Sequence, residues 1–272
     1  MIWLLLFSIL IIYGRKYTFL FVHLQQKYIT FGESTLRGRK IEFILLYNME
    51  VIYEDNHLIA VNKNCHEIVQ GDKTGDIPLS DMLKSWLKEK YNKPGNAFIG
   101  VSHRLDRPVT GIVLFAKTSK ALSRINELLR LRKIEKMYWA ITKNCPAEPE
   151  GELIHWLIRN EKQNKSVAFD TEKPNAQKAI LYYRVVSKSE RYYLLEIELK
   201  TGRHHQIRCQ LAKIGCPVKG ELKYGAERSN PDGGISLHAR KLSFIHPISQ
   251  QHIEMIAPVP EEPLWKILTF SF

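Results

Sequence analysis

With 272 residues, 44% of them hydrophobic and 25% charged, the chain has an ordinary globular composition and enough apolar material for a real core, in one large domain or two small ones. Forty Lys and Arg against 28 Asp and Glu give a net charge of +12, a balance that favours an anionic partner, most commonly nucleic acid. Cys65, Cys145, Cys209 and Cys216 form no Cys-x-x-Cys pair, which excludes a disulfide scaffold and reads as reduced packing residues of a cytoplasmic protein; adjacent His204 and His205 lack the spaced partners of a zinc site.

Residues Ile2 to Tyr13 are almost wholly apolar, and a basic pair, Arg15-Lys16, follows them. Twelve residues are too few to span a bilayer, which takes about 20. A secretory signal carries its charge before the apolar stretch, not after it. A short membrane anchor is therefore a minor reading. Met49 opens a strand–turn–strand pattern that is a natural domain start. The expectation is that translation begins there, that residues 1–48 are an extension outside the native protein, and that residues 49–272 form one catalytic domain. The segment 1–48 holds six Lys/Arg and two Glu, so the remainder keeps a charge of +8. Nor is that segment expected to supply a small RNA-binding domain.

Apolar, β-branched and aromatic runs predict strands at Val51–Tyr53, Leu58–Asn62, Gly111–Ala116, Tyr138–Thr142, Ala179–Val186, Tyr192–Leu199, Leu237–Phe244 and His252–Ala257. The fifth and sixth should pair as a hairpin. Helices are expected at Ser80–Tyr91, with Met82, Leu83, Trp86 and Leu87 on one face, and at Ser119–Arg132, with Ser119 as N-cap. A third is expected from Arg203 to Ile214, ended by Gly215. The order predicts an α+β fold, a mixed and largely antiparallel sheet with flanking helices. Asn160–Lys178 and Ala226–Gly234 read as polar loops, the second holding the turn signal Asn230-Pro231-Asp232-Gly233-Gly234.

Three clusters carry chemistry. In His103-Arg104-Leu105-Asp106-Arg107 one carboxylate lies between two arginines, just before a buried strand. Neighbouring positive charge holds such a carboxylate ionised, which suits a nucleophile or base acting on a polyanion. In Arg130–Ala140 a basic helix end runs into an aromatic strand, so cations for phosphates adjoin the Tyr138 hydroxyl near a sheet edge. By itself this cluster reads more simply as a solvated helix end and a core tyrosine. In Thr201–Leu211 a glycine turn leads into a polar helix start, a place that attracts anions. Arg208 lies on the inner side of that helix and needs a carboxylate partner, for which Asp106 is available. A plain structural ion pair is the simpler reading.

Taken together and in order, these clusters, with Gly215-Cys216-Pro217-Val218, Gly220 and Tyr224-Gly225, resemble the RluA-type pseudouridine synthases, which modify uridines of ribosomal and transfer RNA. The resemblance runs from about Val51 to Pro258. It implies a pseudouridine synthase fold, a central RNA-binding cleft, and an isomerisation that needs no cofactor or metal. It implies Asp106 as the catalytic aspartate, attacking the ribose anomeric carbon or the uracil ring. Tyr138 would stack on the uracil and help remove the carbon-5 proton, and Arg208 would pair with the aspartate. Arg104 would enter the RNA stack where the uridine leaves it. His103, Arg107, Arg203, His205 and Gln206 would contact RNA, and Leu211 would form the pocket floor. RNA is the expected partner, with no protein partner and a monomeric state. Val109, Thr110, Gln210 and Glu221 depart from the family pattern and are expected to leave the three core roles untouched.

Two other classes compete. His-Arg-x-Asp also occurs in the catalytic loop of protein kinases, but the glycine-rich loop and Asp-Phe-Gly are missing. A non-catalytic RNA-binding or ribosome-assembly protein of the same fold would keep the basic surface and lose one of Asp106, Tyr138 or Arg208; all three are present.

Overall fold

The computed structural model of the protein describes residues 49–270. The expectations of a late start and of a short anchor fall on residues 1–48, outside that range. Among the described residues no helix is long and apolar enough to cross a membrane.

In chain order the elements are β1 (Glu50–Glu54), β2 (Leu58–Lys63), α1 (Leu79–Lys90), β3 (Gly100–Val101), β4 (Thr110–Ala116), α2 (Ser119–Arg130), β5 (Glu135–Thr142), β6 (Glu150–Asn160), β7 (Lys165–Phe169), β8 (Gln177–Lys188), β9 (Tyr193–Leu199), α3 (Gln206–Lys213), β10 (Leu237–Ile245), β11 (His252–Ile256) and α4 (Pro263–Thr269). The strands join one sheet in the order β1-β2-β4-β10-β5-β9-β8-β6-β7, with β11 paired to β10 and β3 to β4. Every pairing is antiparallel except β4 with β10, so the sheet is mixed and largely antiparallel as expected. The hairpin of β8 and β9 is also as expected.

β4 reads Thr-Gly-Ile-Val-Leu-Phe-Ala and is buried on both faces beyond Thr110. That is the pattern of a strand covered on two sides. Its Ile112 and Leu114 join Leu58 and Ala60 of β2, Leu242 and Phe244 of β10, and Ala121 and Ile125 of α2 in one core cluster. Gly111 explains how β10 reaches β4. It has φ +109°, and a Cβ there would lie 2.3 Å from the Ala239 carbonyl oxygen. Only glycine tolerates both the backbone angle and the approach.

A second cluster packs Trp139 and Ile141 of β5 and Leu194 of β9 against Trp265 and Leu268 of α4. Successive side chains of a strand face opposite sides, so Trp139 under the sheet puts Tyr138 on the other face, where the cleft lies. β5 sits between β10 and β9 in the interior of the sheet, so Tyr138 is not near an edge, as its sequence setting suggested.

Several boundaries are corrected. Thr118, not Ser119, caps α2: its hydroxyl accepts from the Ala121 amide. That helix stops at Arg130, because Arg132 turns left-handed and the Lys133 amide closes onto the Leu128 carbonyl. α3 begins at Gln206 rather than Arg203, because His205 is left-handed and cannot extend a helix backwards. Asn160–Lys178 is not a free loop. It holds all of β7 and the start of β8, where alternate side chains face solvent and dilute the apolar signal. β3, β6 and α4 went unread for related reasons: two residues, an interleaved polar face, and a helix of seven.

Candidate active site

Asp106 lies in the loop leading into β4, and that loop is fastened along its length. The Ser102 hydroxyl donates to the Leu114 carbonyl and the Leu114 amide donates to His103 Nε2, so residues 102–103 fill the place of a strand beside β4. Burial, with the Lys136 charge, pushes His103 down to about 4, so it is neutral and free to accept. In this arrangement it holds the backbone of β4. On the far side, buried Lys63 Nζ donates to the Asn64, Arg107 and Val109 carbonyls at 2.8, 3.0 and 2.6 Å. The His66 amide also reaches the Arg107 carbonyl.

The two arginines beside Asp106 go different ways. Arg107 turns from the main cleft and is clamped by Asp76 (2.5 Å), Asp72 (3.1 Å) and the Thr74 hydroxyl (2.7 Å). Arg104 is exposed on the cleft and makes no hydrogen bond or ion pair among the described residues. Neither supplies the charge at Asp106 that its sequence position suggested.

That charge comes from α3. Arg208 Nη1 donates to Asp106 Oδ2 at 2.8 Å, and His205 Nε2 lies 3.5 Å from the same oxygen. Burial would raise the Asp106 carboxyl; the His205 ring and the Arg208 guanidinium reverse this and hold it below its ordinary value. Burial also pushes His205 down to about 3, so the ring is neutral and the permanent positive charge is that of Arg208. Arg208 Nε in turn donates to Glu221 Oε2. Burial opposes the guanidinium charge, yet Glu221 and then Asp106 raise its pKa above the ordinary value. One buried cation thus joins two carboxylates, of which Glu221 is only 2% exposed. The residue that departs from the family pattern at position 221 therefore contacts Arg208 directly. Nothing in the spacing from Arg208 to Glu221 marked this pairing.

Tyr138 rises from β5 into the same cleft. Burial and the Asp106 charge push its phenol well above the ordinary value, so it keeps its proton at neutral pH. The cleft has a volume of about 650 Å³. Val109, Leu199, Ile207 and Leu237 supply its apolar lining, and Arg130, Arg132, Lys136, Arg159, Lys200 and Arg203 its cations. A second cavity of about 610 Å³ shares Asp106 and Arg208, as well as Arg104, Leu105, Arg159, His204 and His205, with the first.

Asp106, Tyr138, Arg208, Arg104, His103, Arg203, His205 and Gln206 all line the main cleft. Gln206 does so mainly as scaffold: its side-chain oxygen accepts from the Thr201 hydroxyl and the Arg203 amide, and its amide donates to the Ile180 carbonyl. Leu211 is fully buried and does not line the cleft; Ile207, one turn earlier, does. Arg107 lines only the second cavity. Sequence reading missed Arg159, hidden in the unread β6, as well as Lys63 and Glu221, whose partners lie at a distance in the chain.

A family profile described as RNA pseudouridylate synthase matches residues 57–213. An uncharacterized RNA pseudouridine synthase of Synechocystis sp. is 30% identical over 216 residues; the alignment covers 78% of this chain and 66% of that protein. The tRNA pseudouridine synthase C of Vibrio parahaemolyticus is 27% identical, with 82% and 95% covered. Among solved structures, human RNA pseudouridylate synthase domain containing 4 superposes with a TM-score of 0.65 at 24% identity, over 78% of this chain and 89% of that one, a likeness of fold.

Proposed function

This chain belongs to the RNA pseudouridylate synthase family, a family of RNA isomerases, and on that premise we propose that its cleft converts uridine of structured ribosomal or transfer RNA to pseudouridine with Asp106 as nucleophile. One observation carries the reading. Asp106, Tyr138 and Arg208 come from three separate segments and meet in one cation-ringed cleft.

The cations suit the phosphates of an RNA strand, while the apolar patch and the Tyr138 ring suit one extruded base. Taking a base out of a stack costs a few kcal/mol. Arg104, exposed on the cleft and without a hydrogen bond or ion pair among the described residues, fills the vacated place, and phosphate contacts offset the rest. Asp106, ionised by Arg208, then bonds to the ribose anomeric carbon or to the uracil ring. The glycosidic bond to N1 breaks, the base turns, and carbon 5 bonds to the ribose as the bond to Asp106 breaks; the carbon-5 proton leaves to solvent and N1 takes up a proton, which frees the carboxylate. Atoms are conserved, so no group donor enters. Because the Tyr138 phenol stays protonated, it stacks and hydrogen-bonds rather than acting as a phenolate. All three groups belong to one chain, which supports a monomer. An RNA substrate and a sequence without a Cys-x-x-Cys pair fit the cytoplasm.

The test is tritium release from RNA labelled at carbon 5 of uridine, using total RNA from cells lacking the protein. The native chain releases tritium. Asp106→Asn lowers the rate by at least about 10³-fold, as removal of a nucleophile does, and leaves RNA binding nearly intact. Binding without release by the native chain would instead make it a non-catalytic RNA-binding protein.

A further inference from the structure

Resting on the reading of Asp106 as nucleophile, we propose that Tyr224 and His205 form a hydrogen-bond relay that occupies Oδ2 of Asp106 and leaves Oδ1 as the attacking oxygen. The relay starts at the single 3-10 turn Leu222–Tyr224. Glu221 caps that turn with Oε1, which accepts from the Lys223 amide, and grips Arg208 with Oε2. Tyr224 closes the turn and reaches His205. One short turn thus holds both groups that contact Asp106.

The protons can be followed atom by atom. The Ser166 amide donates to the Tyr224 oxygen at 2.7 Å. The Tyr224 hydroxyl is buried and lies 3.0 Å from His205 Nδ1, its one acceptor among the described residues. The phenol therefore donates to Nδ1, which must carry a lone pair. The ring proton is then on Nε2, facing Asp106 Oδ2. The other tautomer would set an Nε2 lone pair against a carboxylate and leave a buried hydroxyl proton without an acceptor. At 3.5 Å the final contact is long, as such contacts are before substrate tightens them.

His205 is not free to leave this arrangement. Its backbone is left-handed, with φ 51°. Its ring meets Tyr224 edge-on at 5.7 Å and stacks on His204 at 3.9 Å. A side chain kept in so unfavourable a backbone region is one its surroundings over-determine. Arg208 Nη1 and His205 Nε2 both converge on Oδ2, whereas no described group donates a hydrogen bond to Oδ1. The oxygen with two donors is the poorer nucleophile; the other keeps its lone pairs for substrate. The relay gives up no proton during the reaction. Tyr224 and His205 are positioning residues that act through Asp106.

The first measurement is the imidazole 15N spectrum of the full chain labelled with 15N-histidine, the His205 signals being those that vanish in His205→Gln. The expected spectrum shows His205 protonated at Nε2 alone. The second is the tritium-release rate against RNA concentration. Tyr224→Phe should lower the maximal rate about 10- to 100-fold, the scale of a misaligned reacting group, with half-saturation unchanged. His205→Gln, whose amide can still donate, should retain more rate than His205→Leu. A native ring protonated at Nδ1 overturns the relay, as does a Tyr224→Phe rate equal to native. If the native chain releases no tritium from any RNA, the synthase reading fails, and the spectrum still decides the tautomer.

Discussion

Arg208 is shared between Asp106 and the buried Glu221. If Asp106 is the nucleophile, the reaction needs it ionised, and the rate falls as pH drops through its pKa. Arg208 holds that value below 3.8, so the rate should be flat from about pH 5 to 8. Replacing Arg208 by Met while changing Glu221 to Gln removes the guanidinium without stranding a buried charge. Burial then governs Asp106, and the acid limb should move up by about one to three pH units. The pH–rate profile checks this; an unmoved limb would show that Arg208 does not set the ionisation. The same residues mark how far the sequence can be read. Asp106, Tyr138 and Arg208 each sit in a contiguous pattern, and the need of a buried arginine for an acid pointed from Arg208 to Asp106. Glu221 could not be found that way, because its partnership exists only after α3 and the following turn have folded onto each other. Charge inferred from chain neighbours misled: Arg107 adjoins Asp106 in sequence, yet spends its charge on Asp72 and Asp76.

Among the elements, β10 has the tightest requirement, since it enters between β4 and β5 and passes over Gly111. Gly111→Ala would drive a methyl into the Ala239 backbone at a backbone angle that alanine resists. A cost of about 4 kcal/mol is expected, or roughly 10 °C in Tm for a domain of this size. Gly215 is the control. Its φ is +77°, but nothing stands within 4 Å of a Cβ there, so Gly215→Ala should cost only about 1–2 kcal/mol. Equal melting shifts for the two would remove the close-approach argument. Buried strands such as β2 and β4 were legible because they run apolar without interruption. β6 and β7 were not, because one face is wet and the hairpin tip is lysine- and asparagine-rich. The fold class survived these omissions, since the strands that were read already alternate with few helices.

At the scale of the described molecule, Arg130, Arg132, Lys136, Arg159, Lys200 and Arg203, from separate elements, line one cleft. If Arg132 and Arg203 hold phosphates, replacing both by Ala should weaken RNA binding for all sequences alike. The dependence of log K on log salt should become shallower by about 0.7–0.9 for each phosphate no longer neutralised. Titrations at several salt concentrations test this, and an unchanged slope would place the RNA elsewhere. The net charge predicted an anionic partner but not this location, which depends on α2 ending where β5 begins. The order of the sheet also bears on when the protein comes alive. β4 and β5 emerge early in synthesis, but the strand that separates them is made about a hundred residues later. Until Leu237–Ile245 has left the ribosome, β4, which follows the Asp106 loop, and β5, which carries Tyr138, have no common neighbour in the sheet. If Asp106 and Tyr138 carry the chemistry, a nascent chain gains it only once β10 has followed.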